Sequence, residues 1–131
     1  MCRFSFIDEV SEVKKNESLT AFYTLKETEE FLKDHFGGFP VMPGVLLLES
    51  LKEAAIALLL SMDKPPSKYF RLNGADEVKF GQFVRPENKL KVFVRLLKAE
   101  GSLYSFDGRI DLVDASTRGK ALSANLSLVP M

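Results

Sequence analysis

The feature that most constrains what this chain can fold into is the long apolar segment at residues 45–60. Only Glu49, Ser50, Lys52 and Glu53 interrupt it, and it is shorter than the about 20 mostly apolar residues that cross a bilayer as a helix. A helix that is apolar around most of its circumference must be covered by other structure. We therefore expect a buried central helix and no insertion into a membrane.

Prolines mark both ends of this predicted helix. Pro43 fits the first turn, where its missing N–H would be unpaired anyway, and Pro65 and Pro66 stop the helix on the other side. The predicted helix covers residues 43–62 and is about 30 Å long at about 1.5 Å per residue.

Segments of alternating apolar and polar residues supply the cover for the helix. The alternation predicts strands over residues 18–25, 89–97, 104–112 and 122–128, with turns at 14–17 and 116–119 and a hairpin within 4–25. Each strand buries one face and exposes the other, which is typical of antiparallel sheets. Gly108 marks either a bulge or a point where another part of the chain approaches the strand closely. Thr24 and Glu27 have the spacing of a capping box, which predicts a short helix to about Lys33. The expected fold is a single α+β domain over residues 1–131, with a sheet curled around one helix.

Composition excludes several classes of function. The 131 residues suffice for one domain, and 18 basic residues balance 18 acidic ones, so the charge excess that nucleic-acid binding needs is absent. One cysteine, Cys2, and one histidine, His35, cannot form a disulfide framework or a usual structural zinc site. Acidic residues interrupt the N-terminus before an apolar run of signal-peptide length, and we expect a cytoplasmic protein.

The residues that can carry chemistry lie close together in the sequence, from His35 to Glu49. The only imidazole precedes a loop rich in glycine and proline, and the central helix then begins near Gly44. A neutral imidazole can act as a base, and the free N–H groups of a helix start can polarise a carbonyl oxygen. Leucines flank Glu49, and burial among them would favour the protonated form that a general acid requires.

Structural interpretations of the same residues remain open at this point. A histidine before a helix is more often a surface or capping residue. Glu49 could belong to a polar stripe, with Glu53 as a solvated partner four residues away and Lys52 as a surface lysine.

The segment HFGGFPVMPGVLLLE resembles the signature of the hotdog-fold (3R)-hydroxyacyl-acyl-carrier-protein dehydratases of the FabZ and FabA types, His-Phe-Pro-Gly-x-Pro-x-Met-Pro-Gly-x-Leu-x-x-Glu/Asp. The matching positions are His35, Phe36, Gly38, Pro40, Met42, Pro43, Gly44, Leu46 and Glu49. Residues 78–80 and 84–90 also resemble the family's Lys-Phe and Val-Pro-Gly-Asp segments, so that the resemblance covers nearly the whole chain.

The resemblance implies a hotdog fold and a homodimer that could assemble further as a trimer of dimers. Each site would pair His35 of one subunit, as base, with Glu49 of the other, as acid. The Gly44 N–H would bind the thioester oxygen, and Phe36, Pro43 and Val45 would also contact the substrate. That substrate would be a 3-hydroxyacyl chain on acyl carrier protein, and its product a trans-2-enoyl thioester and water. Neither a metal nor an organic cofactor is implied.

Two positions depart from the family pattern. Gly37 replaces a proline of the loop, and Glu53 replaces a glutamine of the helix. Two other functions therefore stay open, a hotdog thioesterase and a non-catalytic module that binds acyl carriers. Arg71, Lys79 and Arg85 are candidates for a basic rim that an acidic carrier protein would contact. Phe80 and Phe83 are candidates for the wall of the acyl tunnel.

Overall fold

The computed structural model describes residues 6–25, 44–82, 84–85, 88–113 and 118–131. In chain order the elements are β1 (Glu9–Lys14), β2 (Ser18–Thr24), α1 (Gly44–Leu60), β3 (Phe70–Phe80), β4 (Lys89–Glu100), β5 (Leu103–Val113) and β6 (Arg118–Pro130). The described strands form one antiparallel sheet in the order β1-β2-β4-β5-β6-β3, and α1 contacts every strand from β2 to β6. Within these residues, no helix has both the length and the apolarity to cross a membrane.

The predicted alternation is confirmed in the strands that cover the helix. β2 buries Leu19, Ala21 and Tyr23, while Leu90, Val92 and Val94 are the fully buried residues of β4. The helix contributes residues from more than one side to the same core, namely Leu47, Leu51, Ala54, Ala55, Leu58 and Leu59. Burying one leucine side chain stabilises a protein by about 1.5–3 kcal/mol, so the buried residues of α1 contribute much of the free energy that the core supplies to folding.

The first hairpin also forms as predicted. Its turn places Asn16 in the left-handed region at φ 65°, which asparagine tolerates better than most residues. Lys15, in the same turn, contacts Asp63 after the helix, with 2.8 Å between Nζ and Oδ1. The hydrogen bond from Lys15 lowers the pKa of Asp63, and the same bond raises the pKa of Lys15. Both side chains are exposed, so the pair adds little to stability.

Gly108 is a point of close approach between sheet and helix, as predicted. A Cβ atom added at this position would lie 2.9 Å from Cδ2 of Leu51, a fully buried residue of α1. Gly74 in β3 has no such neighbour, because a Cβ there would meet only Ser127 Oγ at 3.7 Å. Packing therefore requires glycine at position 108 but not at position 74, so the two positions can be compared directly.

We expect Gly108→Ala to lower the free energy of unfolding by about 1–3 kcal/mol, the usual cost of an extra group in a packed core. Gly74→Ala should leave it unchanged or slightly higher, because glycine weakens a strand relative to alanine. Urea unfolding followed by circular dichroism measures both values. Equal stability of the two variants would contradict the close approach at Gly108.

Several predicted boundaries differ from the structure. The helix ends at Leu60, although the Ser61 and Met62 N–H groups donate hydrogen bonds to carbonyls of its last turn and so continue its geometry to the predicted end. The predicted start at residue 43 lies outside the described part. The turn predicted at 116–119 is wrong at its second half, because β6 already begins at Arg118. Thr24, the predicted cap of a short helix, is the last residue of β2, and the predicted helix from residue 26 onward lies outside the described part.

The strand β3 lacks a counterpart among the predicted strands. It lies at an edge of the sheet, pairs with β6, and buries only its first residue, Phe70. Its register shifts between Leu72 and Gly74 and between Asp76 and Lys79, and Glu77 has a φ of 53°. An exposed and irregular strand has no need of alternating apolar residues, so the pattern that revealed the other strands is missing here.

Candidate active site at the start of the central helix

Gly44 begins α1 beneath the ring of Phe80 from the edge strand β3. A Cβ added to Gly44 would lie 2.6 Å from Cε1 of Phe80, so the ring takes the place that a side chain would need. The first turn of the helix carries no acidic residue. Its N–H groups and the positive end of the helix dipole are therefore not neutralised by a carboxylate of that turn, and they can polarise an oxygen that carries negative charge.

Glu49 lies five residues into the same helix, about 7.5 Å along its axis from Gly44. Its side chain is 36% exposed, and its Oε1 lies 2.9 Å from Nζ of Lys52. The prediction of a carboxylate buried among leucines is therefore not met in the single chain. Leu47 and Leu51 point into the core, and Glu49 lies on a different side of the helix, paired with a cation.

Glu53 has a different role from the solvated partner that the sequence suggested. It is buried, and its Oε1 accepts a hydrogen bond of 2.8 Å from the backbone N–H of Phe6. Ser50, one turn earlier, donates a hydrogen bond of 2.8 Å to the Phe6 carbonyl. The Phe6 ring meets Tyr23 edge to face, with 5.9 Å between centroids. The two polar side chains thus fasten the N-terminal segment to the helix, a contact that sequence spacing did not reveal.

The other predicted site residues divide into those that the structure describes and those that it does not. His35, Phe36, Pro43 and Phe83 lie outside the described residues, and Val45 is described as part of the first turn of α1. The three candidate rim residues, Arg71, Lys79 and Arg85, are all exposed. Arg71 and Lys79 belong to β3, the strand that carries Phe80 to the helix start. In the part of the chain described here, no cluster of His, Cys, Asp or Glu could hold a metal ion.

A six-stranded antiparallel sheet wrapped around one long helix is the hotdog fold, which confirms the predicted architecture. The dehydratase heterocomplex ApeI:P from Xenorhabdus doucetiae has the same fold, with a TM-score of 0.74 at 15% identity over 96% of this chain and 82% of that one. A mutant thioesterase from Pseudomonas aeruginosa also shares it, with a TM-score of 0.66 at 16% identity over 92% and 80% of the two chains. The fold alone therefore does not separate a dehydratase from a thioesterase.

Sequence comparison is more specific than the fold. The family model for ApeI-like dehydratases, described as ApeI dehydratase, matches residues 11–120, and this chain belongs to that family. The chain is 40% identical to the 3-hydroxyacyl-[acyl-carrier-protein] dehydratase FabZ of Lactobacillus helveticus over 98 residues, 75% of this chain and 66% of that protein. It is 33% identical to the FabZ of Levilactobacillus brevis over 124 residues, 95% of this chain and 81% of that protein. The predicted family and the predicted enzyme class, a hydro-lyase, are confirmed.

Proposed function

We propose that this chain dehydrates a (3R)-hydroxyacyl thioester carried on acyl carrier protein to the trans-2-enoyl thioester. The observation that carries the proposal is the arrangement on α1. Gly44 opens the helix without a carboxylate in its first turn, and Glu49 lies on the same helix, partly open to solvent. Together with the FabZ relatives and the position of His35 in the motif, this arrangement supplies the groups that the reaction needs.

In the proposed mechanism, His35 removes the proton from the carbon next to the thioester carbonyl. The Gly44 N–H and the helix dipole stabilise the negative charge that develops on the carbonyl oxygen. The bond between the third carbon and its hydroxyl then breaks, and Glu49 donates the proton that makes this hydroxyl leave as water. The substrate loses one water, His35 holds the proton from the substrate carbon, and the proton of Glu49 has left with the hydroxyl. Exchange with solvent restores both groups.

The proposed active unit is a dimer in which each site takes His35 from one subunit and Glu49 from the other. Support comes from the outer edge of β3, which has no neighbouring strand among the described residues, since such an edge is a surface on which another strand can add. This edge exposes Val78 and Phe80, the latter at 60% exposure directly over the start of α1. A second copy at this edge would cover both side chains. The family resemblance also implies the association of three such dimers.

The proposed carrier is acyl carrier protein, an acidic partner. Lys79 is the immediate neighbour of Phe80, and Arg71 lies on the same strand. Arg85 follows the strand in the chain and is also exposed. These three cations place positive charge on β3 and just after it. The end of β3 lies over the start of α1, where the thioester would bind.

Mass spectrometry of acyl carrier protein loaded with a 3-hydroxyacyl chain tests this function. We expect conversion to the enoyl form, seen as loss of one water from the intact acyl carrier, and the reverse conversion when the enoyl form is supplied. A thioesterase would release the free acid and leave the unloaded carrier. Formation of a complex with no change in the acyl mass would identify a binding module. Either of these last two results would contradict the proposed dehydratase.

A further inference from the structure

Lys52 differs from the other lysines that form ion pairs in the described part of the chain. Its side chain is 25% exposed, whereas those of Lys14, Lys15 and Lys98 are 60%, 61% and 63% exposed. A lysine whose stem is largely covered keeps its ammonium either in water or beside a counter-charge. The counter-charge here is Glu49, 2.9 Å from the ammonium.

The geometry of the pair directs Lys52 toward the proposed site. Side chains of a helix lean toward its N-terminus, so a lysine three residues after Glu49 extends back in the direction of Gly44. Its ammonium contacts Oε1 of the carboxylate, which leaves Oε2 as the oxygen that a substrate would meet. The neighbouring carboxylate, Glu53, binds the Phe6 N–H through its own Oε1.

We propose that Lys52 is a positioning residue for the acid of the dehydration, a role that rests on the proposed function of Glu49. When Glu49 gives its proton to the leaving hydroxyl, a neutral acid becomes a carboxylate. A cation held at 2.9 Å stabilises the charge as it develops, and it does so more strongly in a partly desolvated position than in water. The same contact fixes the direction in which the remaining oxygen points.

The test uses Lys52→Met, which keeps the length and apolar stem of the side chain, and Lys52→Arg, which keeps the charge. We expect Lys52→Met to lower kcat for the acyl-carrier substrate by about tenfold, with KM within about twofold, because the contact acts in the transition state. Lys52→Arg should recover most of the loss. The matched control is Lys15→Met. It removes the 2.8 Å ion pair with Asp63, which lies just after the C-terminus of the helix, and it should leave kcat unchanged.

A double-mutant cycle separates positioning from other roles. In a Glu49→Gln background, Lys52→Met should cause no additional loss, because the charge it compensates is gone. Single-turnover measurements with enzyme in excess keep these slow variants measurable, and thermal unfolding checks that they are folded. If Lys52→Met is unfolded, Lys52→Gln replaces it in the same cycle.

Three outcomes would overturn the proposal. Unchanged kcat in Lys52→Met would show that Glu49 works without the lysine. A rise in KM alone would identify a contact with the carrier protein. If Lys52→Met lowers kcat by the same factor in the Glu49→Gln background, Lys52 has a purely structural role. The proposed function fails separately, when the wild-type protein removes no water from the 3-hydroxyacyl carrier. Wild-type activity in Glu49→Gln would remove the acid role on which this proposal rests.

Discussion

Replacing Glu49 by glutamine is expected to lower kcat/KM for dehydration by about 10²–10⁴-fold, the usual contribution of a positioned acid or base. Glutamine keeps the size of the side chain and a hydrogen-bond donor but has no proton to give to the leaving hydroxyl. Rates measured at saturating and at subsaturating acyl-carrier substrate give kcat and kcat/KM for both enzymes.

The control for Glu49→Gln is a second carboxylate that also forms an ion pair with a lysine but lies far from the helix start. Glu100 pairs with Lys98 at 2.8 Å at the end of β4, and both side chains are well exposed. Glu100→Gln should retain the wild-type kcat and kcat/KM. A Glu49→Gln enzyme with wild-type kcat/KM would remove the acid role of this residue, whatever the family resemblance implies.

The parts of the fold that could be predicted are those in which one face of an element is buried. Leu90, Val92 and Val94 alternate with charged or half-buried residues because the face of β4 that meets α1 must exclude water. The helix itself was predictable for the same reason. In β3 only Phe70 is buried, and the two register shifts of the strand interrupt any periodic pattern. Its place in the sheet depends on pairing with β6, which lies far along the chain and leaves no local signal.

The candidate site shows a similar division. The types of its residues and their spacing can be read from the sequence, so His35, Gly44 and Glu49 could be predicted as candidate site residues. The partners of the polar residues on the helix could not. Glu53 binds a backbone group 47 residues away, and nothing in the residues around it indicates Phe6 as the partner. The sequence suggested only a surface lysine at position 52, and the structure instead shows a largely covered side chain 2.9 Å from Glu49.

The largest effect is expected when two inactive variants of the proposed dimer are combined. As homodimers, His35→Ala and Glu49→Ala should each be nearly inactive, because every site lacks one of its two groups. Mixing the two chains, unfolding them and refolding them together creates dimers of one chain of each kind. In such a dimer one site lacks both groups, and the other takes His35 from one chain and Glu49 from the other.

Random pairing makes about half of the dimers mixed, and each mixed dimer has one complete site out of two. Refolding should therefore restore about a quarter of wild-type activity, from two components that are nearly inactive alone. Wild-type protein carried through the same unfolding and refolding corrects for incomplete recovery, and native mass spectrometry verifies that mixed dimers have formed. If His35 and Glu49 act within one subunit, every chain still lacks one of them, so a mixture with verified mixed dimers stays inactive. That result would exclude a site shared between subunits, while the loss of water from the acyl carrier would still test the proposed reaction.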